Sequence, residues 1–356
     1  MIGNHTSHET SNMDSSYISS GQISLSVSIY LILTASTVVG NIVVLYTFYL
    51  YPYLRVPSNL FIINLAITDI LNAMGRNNFV LIGLIMGPEP YTHLFCNISG
   101  FINSLGHVVM TATLAATAIC RYLVIVRSYA RKITTTVVRR IILTTWCYAI
   151  LNCSMPWLGW SRYTYHPFEF TCLPDWHDEN NFSYIIFVFI IDSVIPCILL
   201  IACYWRIYAF ISANANRMLI HIRQSSLKAR RHLPLRIMIK NEIKITKVLF
   251  IICVLFMVCI LPYSIVIFIL IPCNVDVSPY VVFYCGVLIN LNGSLNPVLY
   301  AAIYPKLRKI YRRLGCYLCH YATKIHQESS RRRIVAYPLN DSNRIKIEET
   351  KVTTIE

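Results

Sequence analysis

Charged residues are scarce in this chain. They make up 13% of its 356 residues, whereas 56% of the residues are hydrophobic. Because a soluble domain carries about 25% charged residues, this balance excludes a soluble globular protein. Acidic residues are the rarer kind, with 16 Asp and Glu against 31 Lys and Arg. The few charges are confined to particular stretches, which leaves long apolar runs between them.

The apolar runs are long enough to cross a bilayer as helices. A span needs about 20 predominantly apolar residues, and seven segments meet this requirement. They are residues 24–50, 57–86, 96–126, 136–157, 182–211, 242–271 and 278–303. No Lys lies deep within any of them. The sequence therefore predicts an all-α membrane protein built as a seven-transmembrane helix bundle.

The basic residues indicate how the chain crosses the membrane. Only Arg76 and Arg162 fall on the side that holds the N-terminus, and the other Lys and Arg lie near the opposite loops and the C-terminal tail. Because basic loops stay in the cytoplasm, we expect a multi-pass protein of the cell membrane with an extracellular N-terminus. The net charge of +15 then reflects contact with the lipid bilayer rather than with nucleic acid.

The two ends of the chain differ from the apolar middle. We expect an extracellular tail at 1–23, the transmembrane domain at 24–303, a short amphipathic eighth helix at 304–316 and a cytoplasmic tail at 317–356. Asn4 lies in a sequon and is a candidate for glycosylation. Cys316 and Cys319 follow the amphipathic stretch, where palmitoylation would anchor them to the membrane. The alternative is that both remain unmodified thiols.

Several motifs occur in an order and at spacings typical of one receptor family. They are Pro57-Ser58-Asn59-Leu60, Arg121-Tyr122, Gly159-Trp160-Ser161-Arg162-Tyr163 and the ending Asn296-Pro297-Val298-Leu299-Tyr300. With these motifs, residues 24–316 resemble the rhodopsin family (class A) of G protein-coupled receptors, and in particular its opsin branch. Within that branch the chain is most similar to the placopsins, which lack the retinal-binding lysine. Some melatonin-type receptors share parts of the same patterns and are the nearest alternative.

The resemblance implies a switch for a heterotrimeric G protein. In this family an acidic residue precedes the Arg that ends the third helix, and that Arg is held at rest by this acid and by a glutamate of the sixth helix. Here Arg121 is preceded by Cys120, and Glu242 is the sixth-helix candidate. The other predicted members of the switch are Tyr122, Tyr204, Asn296, Pro297 and Tyr300. Since one of two restraints is missing, we expect raised basal signalling.

The resemblance also implies a disulfide and a polar network. Cys96 and Cys172 match the two cysteines that are joined in the family. The network is predicted to include Asn41, Asp69, Asn292 and Asn296. Related receptors often hold sodium in this region, but Met110 and Gly293 replace small polar residues here and disfavour a metal ion.

Covalent retinal is not expected. In opsins a lysine six residues before the Asn of the Asn-Pro ending forms a Schiff base with retinal, and here that position is Asn290. The two positions that supply a carboxylate counterion in opsins are Ser99 and His166. We therefore predict no cofactor.

Two charges are present in the predicted pocket instead. Arg76 and Asp192 each lie about ten residues from the N-terminal side of the membrane, at one level. They could neutralise each other directly or through water, Arg76 could bind an anionic group of a small ligand while Asp192 binds a donor group, or Arg76 could reach toward Glu89. The remaining pocket residues are predicted to be Asn103, Ile260, Tyr263 and Asn290.

These observations predict a receptor that activates heterotrimeric G proteins, is opsin-like without covalent retinal and has high basal activity. The alternative is a receptor for a small ligand, anionic or similar to melatonin. A transporter or lipid scramblase is a less favoured class, since the sequence contains no inverted repeat. We find no catalytic residues and do not expect an enzyme. Ser and Thr of the C-terminal tail are candidate phosphorylation sites for arrestin.

Overall fold

The structure is a computed structural model that describes residues 20–129, 131–175, 182–224, 229–270, 275, 277–316 and 323, with the backbone alone at 20, 182, 214–224 and 229–245. The described residues contain seven helical spans that are long and apolar enough to cross a membrane. These spans are Gly21–Leu50, Pro57–Met86, His93–Ile125, Thr135–Leu158, Ser183–Ala213, Thr246–Leu270 and Pro279–Ile303. The predicted all-α bundle of seven transmembrane helices is confirmed.

The helices follow the chain in order and several are subdivided. They are α1 (Ser20–Leu50), α2 (Pro57–Met74), α3 (Arg76–Met86), α4 (His93–Ile125), α5 (Thr135–Ser154), α6 (Phe182–Val188), α7 (Ile195–Gln224), α8 (Ala229–Ile265) and α9 (Pro279–Ile303). A π-helical segment, Phe189–Val194, joins α6 to α7, and a second, Val266–Leu270, follows α8. Short 3-10 turns lie at Pro52–Leu54 and Met155–Leu158.

The second span is broken at Gly75, whereas the sequence predicted one uninterrupted segment. Helix α2 ends at Met74, and Gly75 has the non-helical angles φ −91° and ψ −82°. A side chain at this position would collide with Ile102 of α4, so glycine also permits close packing of the two helices. The break restarts the helix at Arg76, which becomes the first residue of α3.

A β-hairpin lies at one end of the bundle, which we call the hairpin end. Its strands β1 (Tyr163–His166) and β2 (Thr171–Pro174) are antiparallel, with Tyr163 opposite Pro174 and His166 opposite Thr171. All four residues of β2 are buried. The Cys96–Cys172 disulfide ties β2 to the start of α4, which confirms the predicted bridge. The hairpin therefore covers this end of the helices.

The bundle has buried polar residues inside and large apolar residues outside. The side chains of Asn41, Asp69, Asn103 and Asn296 are buried, whereas Ile198, Ile201, Trp205 and Tyr208 of α7 are exposed. In water so many exposed apolar side chains on one helix would be unfavourable. Lipid removes that cost, and the buried polar groups then need partners within the protein.

The chain divides into two compact units at Pro305 and Lys306. A short helix, α10 (305–316), begins at the last residue of the first unit and otherwise belongs to the second. Its least exposed side chains are Leu307, Ile310, Tyr311 and Leu314. These residues recur at the helical spacing and define one apolar face.

Candidate functional site

Asp192 lies on the π-helical segment of the fifth span and is 3% exposed. Its carboxylate accepts hydrogen bonds from two residues of α5: the Tyr148 hydroxyl donates to Oδ1 at 2.7 Å, and Asn152 Nδ2 donates to Oδ2 at 2.6 Å. Both donors are neutral. They hold the carboxylate in place, but they do not balance its charge.

Arg76 is the first residue of α3 and is 8% exposed. It forms no hydrogen bond and no ion pair with any side chain that the structure describes, and its Nε is buried without a partner. The direct pairing with Asp192 that the sequence allowed is therefore not present in the described part of the chain. Because Asp192 is held by Tyr148 and Asn152, the guanidinium of Arg76 is available to bind another group.

Both charges line one cavity at the hairpin end, which we call the main cavity because it contains both of them. Its walls include the predicted pocket residues Arg76, Asn103, Asp192, Ile260 and Tyr263. Asn290, by contrast, lines a neighbouring inner cavity together with Asp69, Arg76 and Gly293. The structure thus brings five of the six predicted pocket residues to one cavity, and Arg76 lies between the two cavities.

Asn103, at the wall of the main cavity, also binds the hairpin. Its Nδ2 donates to Thr171 Oγ1 at 2.8 Å and to the carbonyl oxygen of Cys172 at 3.0 Å. Ser99 lies one turn earlier in α4, and its hydroxyl is 3.1 Å from the same Thr171 oxygen. These bonds fix β2 to the bundle, so the donor groups of Asn103 are occupied by the hairpin.

A buried glutamate of the hairpin approaches the same region. Glu169 lies in the turn between β1 and β2 and is 7% exposed. Its two carboxylate oxygens accept from the Tyr263 hydroxyl at 3.1 and 3.0 Å. Burial raises the pKa of Glu169 to about 7, although the nearby charge of Arg76 and the Tyr263 hydrogen bond act in the opposite direction. Glu169 therefore lies within Coulombic range of Arg76 but outside ion-pair distance.

The predicted polar network extends from the inner cavity. Asn296 donates to Asp69 Oδ2 at 2.9 Å, and Asn41 donates to the carbonyl oxygens of Thr37 at 2.9 Å and Gly293 at 3.2 Å. Asn292 donates to the sulfur of Met110 at 3.5 Å. The described residues contain no group of three or more His, Cys, Asp and Glu that could hold a metal ion.

The predicted switch residues lie at the end opposite the hairpin, which we call the Arg121 end. Arg121 is 2% exposed, and its neighbour Cys120 packs against Phe61 and Val138. Tyr122 is partly buried, and its hydroxyl accepts from Arg127 Nε at 3.1 Å.

Two buried tyrosines lie on other helices of the bundle. Tyr204 of α7 has its hydroxyl 3.7 Å from the sulfur of Cys253. Tyr300 of α9 is fully buried, three residues after Pro297, and among the described residues its hydroxyl has no hydrogen-bond partner. A buried hydroxyl without a hydrogen-bond partner is energetically costly.

Some predicted residues fall outside the part of the chain that the structure describes. Asn4 and Cys319 lie there, and Glu242 is described by its helical backbone alone. Cys316 is described and is exposed.

Residues 40–300 match the family model of the seven-transmembrane receptors of the rhodopsin family. The chain belongs to this family. Its members are receptors rather than enzymes, and this receptor is a multi-pass membrane protein.

Opsins are among the relatives of this receptor. It is 29% identical to melanopsin-B of Xenopus laevis over 81% of its own length, 28% identical to opsin Rh6 of Drosophila melanogaster over 81%, and 28% identical to opsin-3 of Mus musculus over 78%. These matches cover 54%, 79% and 67% of the respective relatives. With melanopsin-B and with the GQ-coupled rhodopsin of Mizuhopecten yessoensis, the receptor spans little more than half of the relative, 54% and 58%.

The fold of the receptor is that of squid rhodopsin. Its structure matches the crystal structure of that protein with a TM-score of 0.73, covering 94% of this chain and 93% of the other at 21% identity. The likeness is one of fold.

Three residues of the site were missed by the sequence analysis. Tyr148 and Asn152 fix Asp192, and Glu169 enters from the hairpin. Asn152 and Tyr148 are one helical turn apart in the fourth span, and polar residues within a span are candidates for buried bonds. Glu169 lies in a loop, where no periodic pattern indicates burial.

Proposed function

We propose that this opsin-like receptor activates heterotrimeric G proteins and does so at a raised basal level. The distribution of basic residues supports an orientation with the N-terminus and the hairpin end outside the cell and the Arg121 end in the cytoplasm. In this orientation Arg121 lies at the end from which a cytoplasmic G protein approaches, in a receptor of the cell membrane.

The thiol at position 120 is the observation that carries the proposal. Cys120 lies beside the buried Arg121 and packs in an apolar cluster with Phe61 and Val138. A neutral thiol in this cluster cannot restrain the guanidinium as a carboxylate would. Ion pairs near a surface contribute about 0–1 kcal/mol and partly buried pairs more. Their loss therefore shifts a two-state receptor several-fold toward its active form.

The same proposal excludes covalent retinal. Asn290 carries an amide, which is not a nucleophile, and its Nδ2 donates to the carbonyl oxygen of Gly286 at 3.0 Å. A Schiff base needs an amine at this position. Signalling is therefore independent of a retinal chromophore bonded to the chain.

Basal G-protein activation in cells tests the proposal. The receptor is expressed in the dark without added retinal and compared with Arg121→Ala at equal surface expression. We expect activity several-fold above that of the variant. Equal activity of the two would contradict raised basal signalling.

A second candidate function is that of a receptor for a small anionic ligand. The observation that favours it is Arg76, which is buried and has no hydrogen bond or ion pair among the described residues while lining the main cavity. A guanidinium binds carboxylate and phosphate groups through two parallel hydrogen bonds. A screen of small anions in the G-protein assay, with Arg76→Gln as the control, distinguishes an agonist site from a silent cavity.

A further inference from the structure

We propose that the main cavity binds a small zwitterion, in which an anionic group contacts Arg76 and an ammonium group at the other end of a short apolar chain contacts Asp192. The inference rests on the second candidate function and specifies its ligand class. It rests on two buried charges of opposite sign that line one cavity and form no ion pair with each other.

The cationic side of the cavity is unsatisfied. Arg76 is 8% exposed, its Nε has no hydrogen-bond partner, and the described residues provide no carboxylate within ion-pair distance of it. A buried charge without a partner is unfavourable, so an anionic ligand group would gain the full strength of a desolvated, charge-assisted hydrogen bond.

Glu169 does not fill this role. Its carboxylate accepts both of its hydrogen bonds from the Tyr263 hydroxyl. It affects Arg76 only through space, and burial favours its neutral form near neutral pH. The guanidinium of Arg76 is thus left to pair with a group from outside the chain.

The anionic side of the cavity also lacks a countercharge. Asp192 is 3% exposed and is held by two neutral donors, Tyr148 and Asn152. No described Lys, Arg or His comes within ion-pair distance of its carboxylate. Asp192 also lies on a π-helical segment, and such segments occur often at functional sites. A positively charged ligand group would supply the missing countercharge.

The two sites together select for a ligand with both charges. A simple anion at Arg76 would lie in the same low-dielectric cavity as the Asp192 carboxylate, and a simple amine at Asp192 would share it with Arg76. Each would be repelled by the like charge, whereas a zwitterion satisfies both. The remaining surface of the cavity is mostly apolar and includes Val108, Ile260 and Ile289, which suits a chain of methylene groups.

Binding to the purified full-length receptor in lipid nanodiscs tests the inference without using G-protein activity. The probes are the unbranched amino acids with a terminal ammonium group, from glycine through γ-aminobutyrate to ε-aminocaproate. Each is paired with the carboxylate and the amine of the same chain length. Affinity is read from the rise in unfolding temperature with probe concentration. We expect at least one zwitterion to bind roughly tenfold more tightly than both of its matched probes.

Two neutral variants separate binding from a structural effect. In Arg76→Gln the preferred zwitterion should bind no better than the matched amine, and in Asp192→Asn no better than the matched carboxylate. A purely structural role of either residue would weaken all three probes alike. Glu89→Gln, which removes an exposed carboxylate outside the cavity walls, should leave the preference intact.

The outcomes are distinguishable. A matched carboxylate that binds as tightly as every zwitterion would overturn the inference and leave the anionic-ligand function standing. Absence of binding by the whole series would overturn both. Basal G-protein activation is measured separately, and neither binding result bears on that proposal.

Discussion

At the scale of single residues, Cys120 is the position to which we attribute the raised basal signalling. We predict that Cys120→Asp lowers basal G-protein activation several-fold, because a carboxylate beside the buried Arg121 restores an ion pair worth about 1 kcal/mol or more. The measurement is basal activation at matched surface expression.

Cys120→Asn is the matched control for that substitution. Asn has the size and polarity of Asp but no charge, so it should leave basal activity high. If both variants lower the activity equally, the cause is disturbed packing against Phe61 and Val138, and the electrostatic explanation is wrong.

The stability of the receptor should depend on pH because of Glu169. Its pKa is about 7 in the folded receptor and about 4.3 in an unfolded chain, so folding favours the protonated carboxyl. The stabilisation is complete below about pH 4 and is lost as the pH rises through about 7, by roughly 4 kcal/mol in total. The unfolding temperature of the purified receptor should therefore fall over this range.

Glu169→Gln should flatten this dependence, since the amide stays neutral and still accepts a hydrogen bond from Tyr263. The variant should be more stable than the natural protein at pH 8. Glu89→Gln alters an exposed carboxyl and serves as the control. An unchanged pH profile in Glu169→Gln would show that another group titrates.

Asn290 gives a spectroscopic prediction. The purified receptor incubated with 11-cis-retinal should show the absorbance of free retinal only, because an amide cannot form a Schiff base. An opsin that carries the lysine is treated in parallel as the positive control. A stable visible band that shifts with acid would contradict the prediction.

At the scale of secondary-structure elements, the fit of the hairpin against α4 depends on Gly100. A Cβ atom at this position would overlap the ring of Tyr163 in β1, and that ring is held by a hydrogen bond from its hydroxyl to the carbonyl oxygen of Cys153 at 2.8 Å. We predict that Gly100→Ala costs about 1–3 kcal/mol and lowers the unfolding temperature by several degrees.

Gly315→Ala is the matched control, because a Cβ atom there meets nothing within 4 Å. Alanine favours a helix interior over glycine by about 1 kcal/mol, so a lower unfolding temperature of Gly100→Ala alone reports the hairpin contact. Equal unfolding temperatures would mean that the hairpin can move aside without cost.

At the scale of the whole molecule, the sequence predicted what depends on composition and local pattern. The seven spans follow from apolar length, and the Cys96–Cys172 bridge follows from the family resemblance, since both features belong to the chain's general plan. The break at Gly75 was missed because a single glycine within an apolar run does not by itself end a helix.

The details of the site could not be predicted for a different reason. The partners of Asp192 lie 40 and 44 residues away, and Tyr263 is 94 residues from Glu169. Such contacts depend on the rotation of each helix about its own axis and on the position of the hairpin turn. Neither is encoded in a local pattern, so the separation of Arg76 from Asp192 became evident only in the structure.

Raised basal signalling is tested most directly by nucleotide exchange on purified G proteins by the purified receptor in nanodiscs, in the dark and without added ligand. A panel with one heterotrimer from each class of α subunit is used, and Arg121→Ala and empty nanodiscs are the controls. We expect at least one heterotrimer to exchange nucleotide several-fold faster with the receptor than with either control. Exchange at the rate of empty nanodiscs across the whole panel would contradict it.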